Sequence, residues 1–128
     1  MNEIKLGKQE IIHFVGIGGI GMSGLAQIMK TMGFRVQGSD INKNKNTENC
    51  KKLGIKILKG HERKHIKKAT ILVKSSAIKF NNIELLEAKK RNIPIYDRIE
   101  MLASIIDLKK NIIITGSHGK TTTTSLVA

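Results

Sequence analysis

The stretch Ile11-Ile12-His13-Phe14-Val15-Gly16-Ile17-Gly18-Gly19-Ile20-Gly21 passes from a mostly apolar, β-branched run straight into glycines. Such a run suits a buried parallel strand. The glycines satisfy G-x-G-x-x-G between that strand and a helix, whose apolar residues Ile20, Leu25, Ile28, Met29 and Met32 recur at helical spacing before Gly33. Gly16 permits a tight turn, Gly18 lets the backbone approach a diphosphate, and Gly21 lets helix and strand pack closely. N–H groups at the helix start would then face phosphate oxygens, assisted by the helix dipole. Asp40 lies 19 residues past Gly21, where a carboxylate can accept hydrogen bonds from ribose hydroxyls. The loop fits a dinucleotide cofactor or a nucleotide sugar equally, and a purely structural turn is the remaining reading.

Outward from this unit the same alternation continues. Strands are expected at Phe34–Val36, Lys56–Leu58, Thr70–Val73, Pro94–Tyr96 and Ile112–Ile114. Helices are expected around Glu48–Leu53, ending at Gly54, then between Asn82 and Lys90, and over roughly Arg98–Ile106. Strands alternating with helices predict an α/β fold with a doubly wound parallel sheet. Ligands in such folds bind beyond the carboxyl ends of the strands. Polar and glycine residues cluster there: Gly16–Gly21, Ser39-Asp40, Ser75-Ser76, Asp97-Arg98 and Gly116–Thr121.

Composition narrows the function classes. A chain of 128 residues has room for one core, and 40% hydrophobic residues is ordinary for a globular domain. No apolar run approaches the ~18 residues of a membrane span, and Met1–Gln9 lacks the apolar core of a signal peptide, so a cytoplasmic setting is expected. Cys50, the single cysteine, can form no disulfide within the chain and is read as structural. The formal net charge of +13 raises the possibility of a basic nucleic-acid-binding module. The lysines are dispersed, however, and aromatic residues at 3% offer no stacking platform, so no nucleic-acid partner is expected. A basic surface that draws in anionic nucleotides fits better.

A second glycine loop, Thr115-Gly116-Ser117-His118-Gly119-Lys120-Thr121-Thr122, follows the expected sixth strand. It has the parts of a phosphate loop: backbone N–H groups, a lysine for the terminal phosphates and a hydroxyl for Mg²⁺. Ile114 stands where the strict pattern has its first glycine, leaving G-x-x-G-K-T. A hydride-transfer domain needs only the first loop and a simple ATPase only the second. An enzyme that uses ATP to activate a group carried on a nucleotide diphosphate uses both. An NAD(P)-binding dehydrogenase domain is the alternative, and it leaves the second loop unexplained.

With both loops in place, the chain resembles the Mur ligases. The resemblance rests on His13 through Gly24, Gly38-Ser39-Asp40, Gly60-His61, Val73 through Ile78, Ile93-Pro94, Arg98 with Glu100-Met101-Leu102, and Gly116 through Thr124, in that order along nearly the whole chain. Ser117 stands where threonine is usual and keeps the hydroxyl. The resemblance is to the members that join L-alanine to UDP-N-acetylmuramate through an acyl phosphate in peptidoglycan synthesis. It implies a Rossmann-like domain over residues 1–107, and the first strand and phosphate loop of a central ATP-binding domain over residues 108–128. It implies that Gly16, Gly18, Gly19, Ile20, Gly21 and Met22 hold the UDP diphosphate, with Ser39 and Asp40 near the ribose. Ser75, Ser76 and Arg98 would surround the uridine diphosphate, and His61 is a further substrate candidate. Gly116, Ser117, His118, Gly119, Lys120, Thr121 and Thr122 would form the ATP loop, with Lys120 on the β- and γ-phosphates and Thr121 on Mg²⁺. His118 could face the substrate carboxylate or orient the loop. His13 and His65 are read as structural or solvent-facing. No carboxylate cluster for metal and no general base are visible, so the chain alone is expected to bind UDP-sugar without ligase activity.

Overall fold

Burial of Ile12 through Val15 on both faces places the first strand, β1 (Ile11–Val15), at the centre of a sheet. The computed structural model describes residues 6–118, with side chains through residue 110. The chain continues through α1 (Met22–Thr31), β2 (Arg35–Asp40), α2 (Lys45–Lys52), β3 (Lys56–Lys59) and a single 3₁₀ turn at Arg63–Ile66. It then forms β4 (Ile71–Lys74), α3 (Ile83–Lys90), β5 (Ile95–Asp97) and α4 (Arg98–His118).

All neighbouring strands pair in parallel, in the order β3-β2-β1-β4-β5. The chain winds outward from β1 through β2 to β3, then crosses over to β4 on the other side. The reversal of strand order therefore falls between β1 and β4, where the register aligns Val15 with Ser39 and with Lys74. That crevice is the binding position of open α/β sheets.

The alternation of β1 sends Ile12 and Phe14 to one face, against Met22, Leu25 and Met29 of α1, Cys50 of α2 and Met101 and Ile105 of α4. Val15 packs on the opposite face with Ile66, Leu72, Leu85 and Ala88. Fully burying each large apolar side chain contributes roughly 1.5–3 kcal/mol. The helices end as their glycines foretell: Gly33 at φ 99° follows α1, and Gly54 at φ 88° follows α2. Asn44 caps α2 in a reciprocal pair with Thr47, and the Asn82 side chain accepts from the Glu84 amide at the start of α3. Cys50 is wholly buried, and burial pushes its thiol pKa up, as suits a structural cysteine.

The expected sixth strand is not present. Residues 112–114 lie within α4, which runs without a break from Arg98 to His118. A lone strand would need a neighbour for its backbone groups, whereas a helix satisfies them within itself. A short apolar run is compatible with either state, and here the preceding helix extends through it.

Candidate functional site

The loop between β1 and α1 is pinned from below. The Gly16 and Ile17 amides both donate to the Ser39 carbonyl, at 2.8 and 3.0 Å, and the Gly19 amide donates to the Gly16 carbonyl at 3.0 Å. Gly18 was expected to let a diphosphate approach. Its N–H instead donates to Asp40 Oδ2 at 2.8 Å, and a Cβ there would lie 2.9 Å from both that oxygen and Thr47 Cγ2. The second oxygen of Asp40 accepts from the Asn42 amide at 3.0 Å. Asp40 thus fastens the glycine loop to the end of β2. Asn44 and Asn46 add side-chain bonds to the Gly18 carbonyl, at 3.3 and 3.1 Å.

Two loop amides stay free. Among the described residues, the N–H groups of Ile20 and Gly21 have no hydrogen-bond partner, while the Met22 amide donates to the Gly19 carbonyl at 3.1 Å. Gly21 is the N-cap of α1 at φ 80°, ψ −23°, a conformation open to glycine, and no side chain caps the helix. A helix start with free donors and no cap is a ready anion site. Ile20 projects almost wholly into solvent, 96% exposed, whereas the Met22 side chain is buried in the core.

Arg98 meets this loop from α4, which packs beside α1 on the same face of the sheet. A reciprocal cap, in which the Glu100 amide donates to Asp97 Oδ1 at 2.9 Å and the Asp97 amide to Glu100 Oε1 at 3.0 Å, starts α4 and sets Arg98 as its first residue. A Cβ added at Gly21 would lie 3.1 Å from Arg98 Cδ and Nε and 3.2 Å from Cζ. Among the described residues no carboxylate lies within salt-bridge distance of Arg98. An unpaired guanidinium therefore sits beside two unpaired amides at a positive helix end, an arrangement complementary to a phosphate. Gly21 was expected to bring helix and strand together. The close approach made without a side chain at Gly21 is instead to Arg98, and Gly38 lets β2 sit against the loop and β1, since a Cβ there would lie 2.6 Å from Ile17 Cβ and 2.9 Å from the Phe14 carbonyl oxygen. Ser75 and Ser76 follow β4 on the far side of the crevice. Ser75 is partly exposed, Ser76 exposed, and the Ser75 carbonyl closes a turn with the Ile78 amide at 3.1 Å.

Ser39 and His61 belong to a buried network that the sequence reading did not find. The Glu84 carboxylate, wholly buried, stands at its centre. Oε1 accepts from the Ser39 hydroxyl at 2.6 Å and from His13 Nε2 at 2.8 Å. Oε2 accepts from His65 Nδ1 at 2.8 Å and from the Glu62 amide at 3.1 Å, with His61 Nδ1 at 3.5 Å. Gln37 supports the outer layer, donating to His13 Nδ1 and to the His65 carbonyl, each at 2.8 Å. Desolvation alone would raise the pKa of Glu84. The hydrogen bond from His13 and its electrostatic pull, together with the hydrogen bonds from Ser39 and His65, outweigh it and hold the carboxyl at about 2. His13 and His65 are accordingly structural, and neither faces solvent. The Ser39 hydroxyl points into this network rather than out toward a ligand. Its only sequence signals were polar residues at the buried positions of β1 and β2 and the histidine pair after β3.

The second glycine loop is not formed by the described residues. Gly116, Ser117 and His118 lie in α4, and Gly119, Lys120, Thr121 and Thr122 lie outside the described residues. Among the described residues no group of three or more His, Cys, Asp or Glu is placed to hold a metal ion. The described residues therefore do not by themselves form a site for ATP or Mg²⁺. Among the described residues no helix is long and apolar enough to cross a membrane.

A model of the Mur ligase family, catalytic domain, matches residues 11–110. The chain belongs to the Mur ligase family. Curated relatives named UDP-N-acetylmuramate–L-alanine ligase include one from Pelagibacter ubique, 68% identical over 126 residues, covering 98% of this chain and 27% of that protein. Another, from Aquifex aeolicus, is 56% identical over 116 residues, covering 91% of this chain and 26% of the relative. This Mur ligase chain thus spans about a quarter of the length of the curated relatives it matches. Among solved structures, the UDP-N-acetylmuramate–alanine ligase of Thermotoga maritima superposes with a TM-score of 0.74 at 34% identity, over 78% of this chain and 23% of that one. These relatives are ligases, and the dehydrogenase reading is not favoured.

Proposed function

We propose that this Mur ligase chain is the part of a UDP-N-acetylmuramate–L-alanine ligase that holds the UDP-sugar, with the diphosphate on the amides of Ile20 and Gly21 and on Arg98. The observation that carries the reading is the free helix start at Gly21 with an unpaired guanidinium against it. Its place at the reversal of strand order, and the names of the relatives sharing more than half of its residues, support the same reading. Residues 1–107 are the nucleotide-sugar domain in this proposal, and residues 108–128 belong to the start of the ATP-binding domain, with Lys120 and Thr121 as its phosphate- and Mg²⁺-binding residues. ATP and Mg²⁺ would supply activation of the sugar's carboxylate, and L-alanine the attacking amine. The described residues contribute binding and orientation of the nucleotide diphosphate. A cytoplasmic setting goes with substrates of that kind.

Calorimetry on the full chain tests the reading with UDP-N-acetylmuramate, UDP and NAD as ligands. Binding of the two uridine ligands with no NAD signal is expected. Equal or tighter binding of NAD would overturn the proposal.

A further inference from the structure

The hydrogens of the buried network can be placed one by one, because each shared position admits a single donor. The Gln37 amide nitrogen donates to the His65 carbonyl, which can only accept, and the same nitrogen contacts His13 Nδ1. His13 Nδ1 is therefore an acceptor, and the ring proton sits on Nε2, pointing at Glu84 Oε1. The one hydroxyl proton of Ser39 is given to Glu84 Oε1 at 2.6 Å, so Ser39 Oγ can only accept from its other neighbours. One neighbour is His61 Nδ1, at 3.1 Å, which also faces Glu84 Oε2 at 3.5 Å. Facing two acceptors, His61 Nδ1 must carry a proton.

The consequence lies on the opposite edge of that ring. The His61 side chain is 16% exposed, and its Nε2 has no hydrogen-bond partner among the described residues. No buried side-chain nitrogen or oxygen among them is unpartnered, so Nε2 reaches solvent. It does so at the carboxyl edge of the sheet, because Gly60 next to it donates to the Asp40 carbonyl at 2.8 Å and Ser39 anchors the glycine loop. In the neutral ring this exposed nitrogen is a lone pair.

We infer that Glu84 is a positioning residue, which through Ser39 locks His61 in the Nδ1–H form and so presents Nε2 as a hydrogen-bond acceptor at the strand ends. This rests on the nucleotide-sugar reading and deepens it. A lone pair repels phosphate oxygens, so His61 takes a donor group of the ligand, a ribose hydroxyl or ring N–H, while the diphosphate goes to Ile20, Gly21 and Arg98. The carboxylate-supported histidine thus divides the crevice into a nucleoside side and a phosphate side.

Long-range ¹H–¹⁵N correlation of the histidine rings in the full chain reads the tautomers without any ligand. At a pH where the rings are neutral, His61 is expected as Nδ1–H and His13 as Nε2–H. Finding His61 as Nε2–H in the wild-type chain would overturn the inference. Glu84→Gln is expected to release His61 into a mixture of tautomers. It should also lower the ratio of UDP affinity to inorganic pyrophosphate affinity about tenfold, the effect of one lost hydrogen bond. An unchanged ratio in a folded Glu84→Gln variant would equally overturn it. If the wild-type chain bound no uridine ligand, the nucleotide-sugar reading would fail, and with it the ligand assignment of His61. The tautomer assignment would still be decided by the ring spectra.

Discussion

Glu84→Gln is a small change in shape at a position where no orientation of the new amide can suit its surroundings. The carboxylate accepts four hydrogen bonds of 2.6 to 3.1 Å, two on each oxygen. A glutamine NH₂ placed at Oε2 would face the His65 ring, which can exchange tautomers, and the Glu62 backbone N–H, which cannot. Placed at Oε1 it would face the Ser39 hydroxyl, which can rotate, and His13 Nε2–H, which Gln37 holds in that form. Either way one buried donor is orphaned and the remaining bonds lose their charge assistance. The expected loss is about 3 kcal/mol. Linkage gives a similar figure, since holding the carboxyl at about 2 rather than its ordinary 4.5 corresponds to roughly 3 kcal/mol. The sign follows from the depressed folded value. The stabilisation is fully present above 4.5 and is lost as pH falls toward 2, where the unfolded chain binds the proton first. Urea unfolding followed by circular dichroism at neutral pH, repeated down through that window, measures it. As a reference, Glu48→Gln removes only the exposed Lys51 partner and a first-turn charge on α2 and should cost under about 1 kcal/mol. A Glu84→Gln variant as stable as Glu48→Gln at neutral pH would refute the reasoning.

Gly21→Ala places a side chain at φ 80° and against Arg98, and should cost about 1–3 kcal/mol while weakening UDP-sugar binding at least about tenfold, read by denaturation and calorimetry on one preparation. Gly38→Ala drives a methyl into Ile17 and the Phe14 carbonyl and should destabilise by about 1–3 kcal/mol in thermal unfolding. Gly24→Ala meets open space within α1 and should stabilise by up to about 1 kcal/mol in the same assay. Asp40→Asn leaves one of the two backbone amides of Gly18 and Asn42 facing an NH₂ group. It should cost about 1–2 kcal/mol, with faster hydrogen exchange at Gly18.

Much of the architecture could be read because its determinants are local. The passage from Phe14-Val15 into glycine, and Gly33 and Gly54 at positive φ, mark element boundaries in the residues themselves. The three-residue strand Ile95–Asp97 was legible for the same reason, with Pro94 at its edge. The stretch 112–114 was not, since β-branched residues favour a strand only where a sheet receives them, and here α4 continues through them. Within the site, Gly21 and Arg98 were identified as residues, but their meeting across the crevice depends on how α4 follows β5. The division of labour among the glycines was hidden too, because whether Gly18 serves a ligand or Asp40 depends on where the end of β2 lies. Glu84 was invisible for a plainer reason. A glutamate in the first turn of a helix reads as a solvated, dipole-favoured charge, and only the 3₁₀ turn and the crossover to β4 bring three histidines onto it.

The central claim is that phosphate oxygens sit on two particular backbone amides. Titrating the ¹⁵N-labelled chain with UDP-N-acetylmuramate while following its amide resonances tests it most directly. The account predicts that Ile20 and Gly21 shift furthest, with the Arg98 side chain moving in parallel and Gly18, already bonded to Asp40, moving less. Saturable binding that leaves the Ile20 and Gly21 amides unmoved would contradict it.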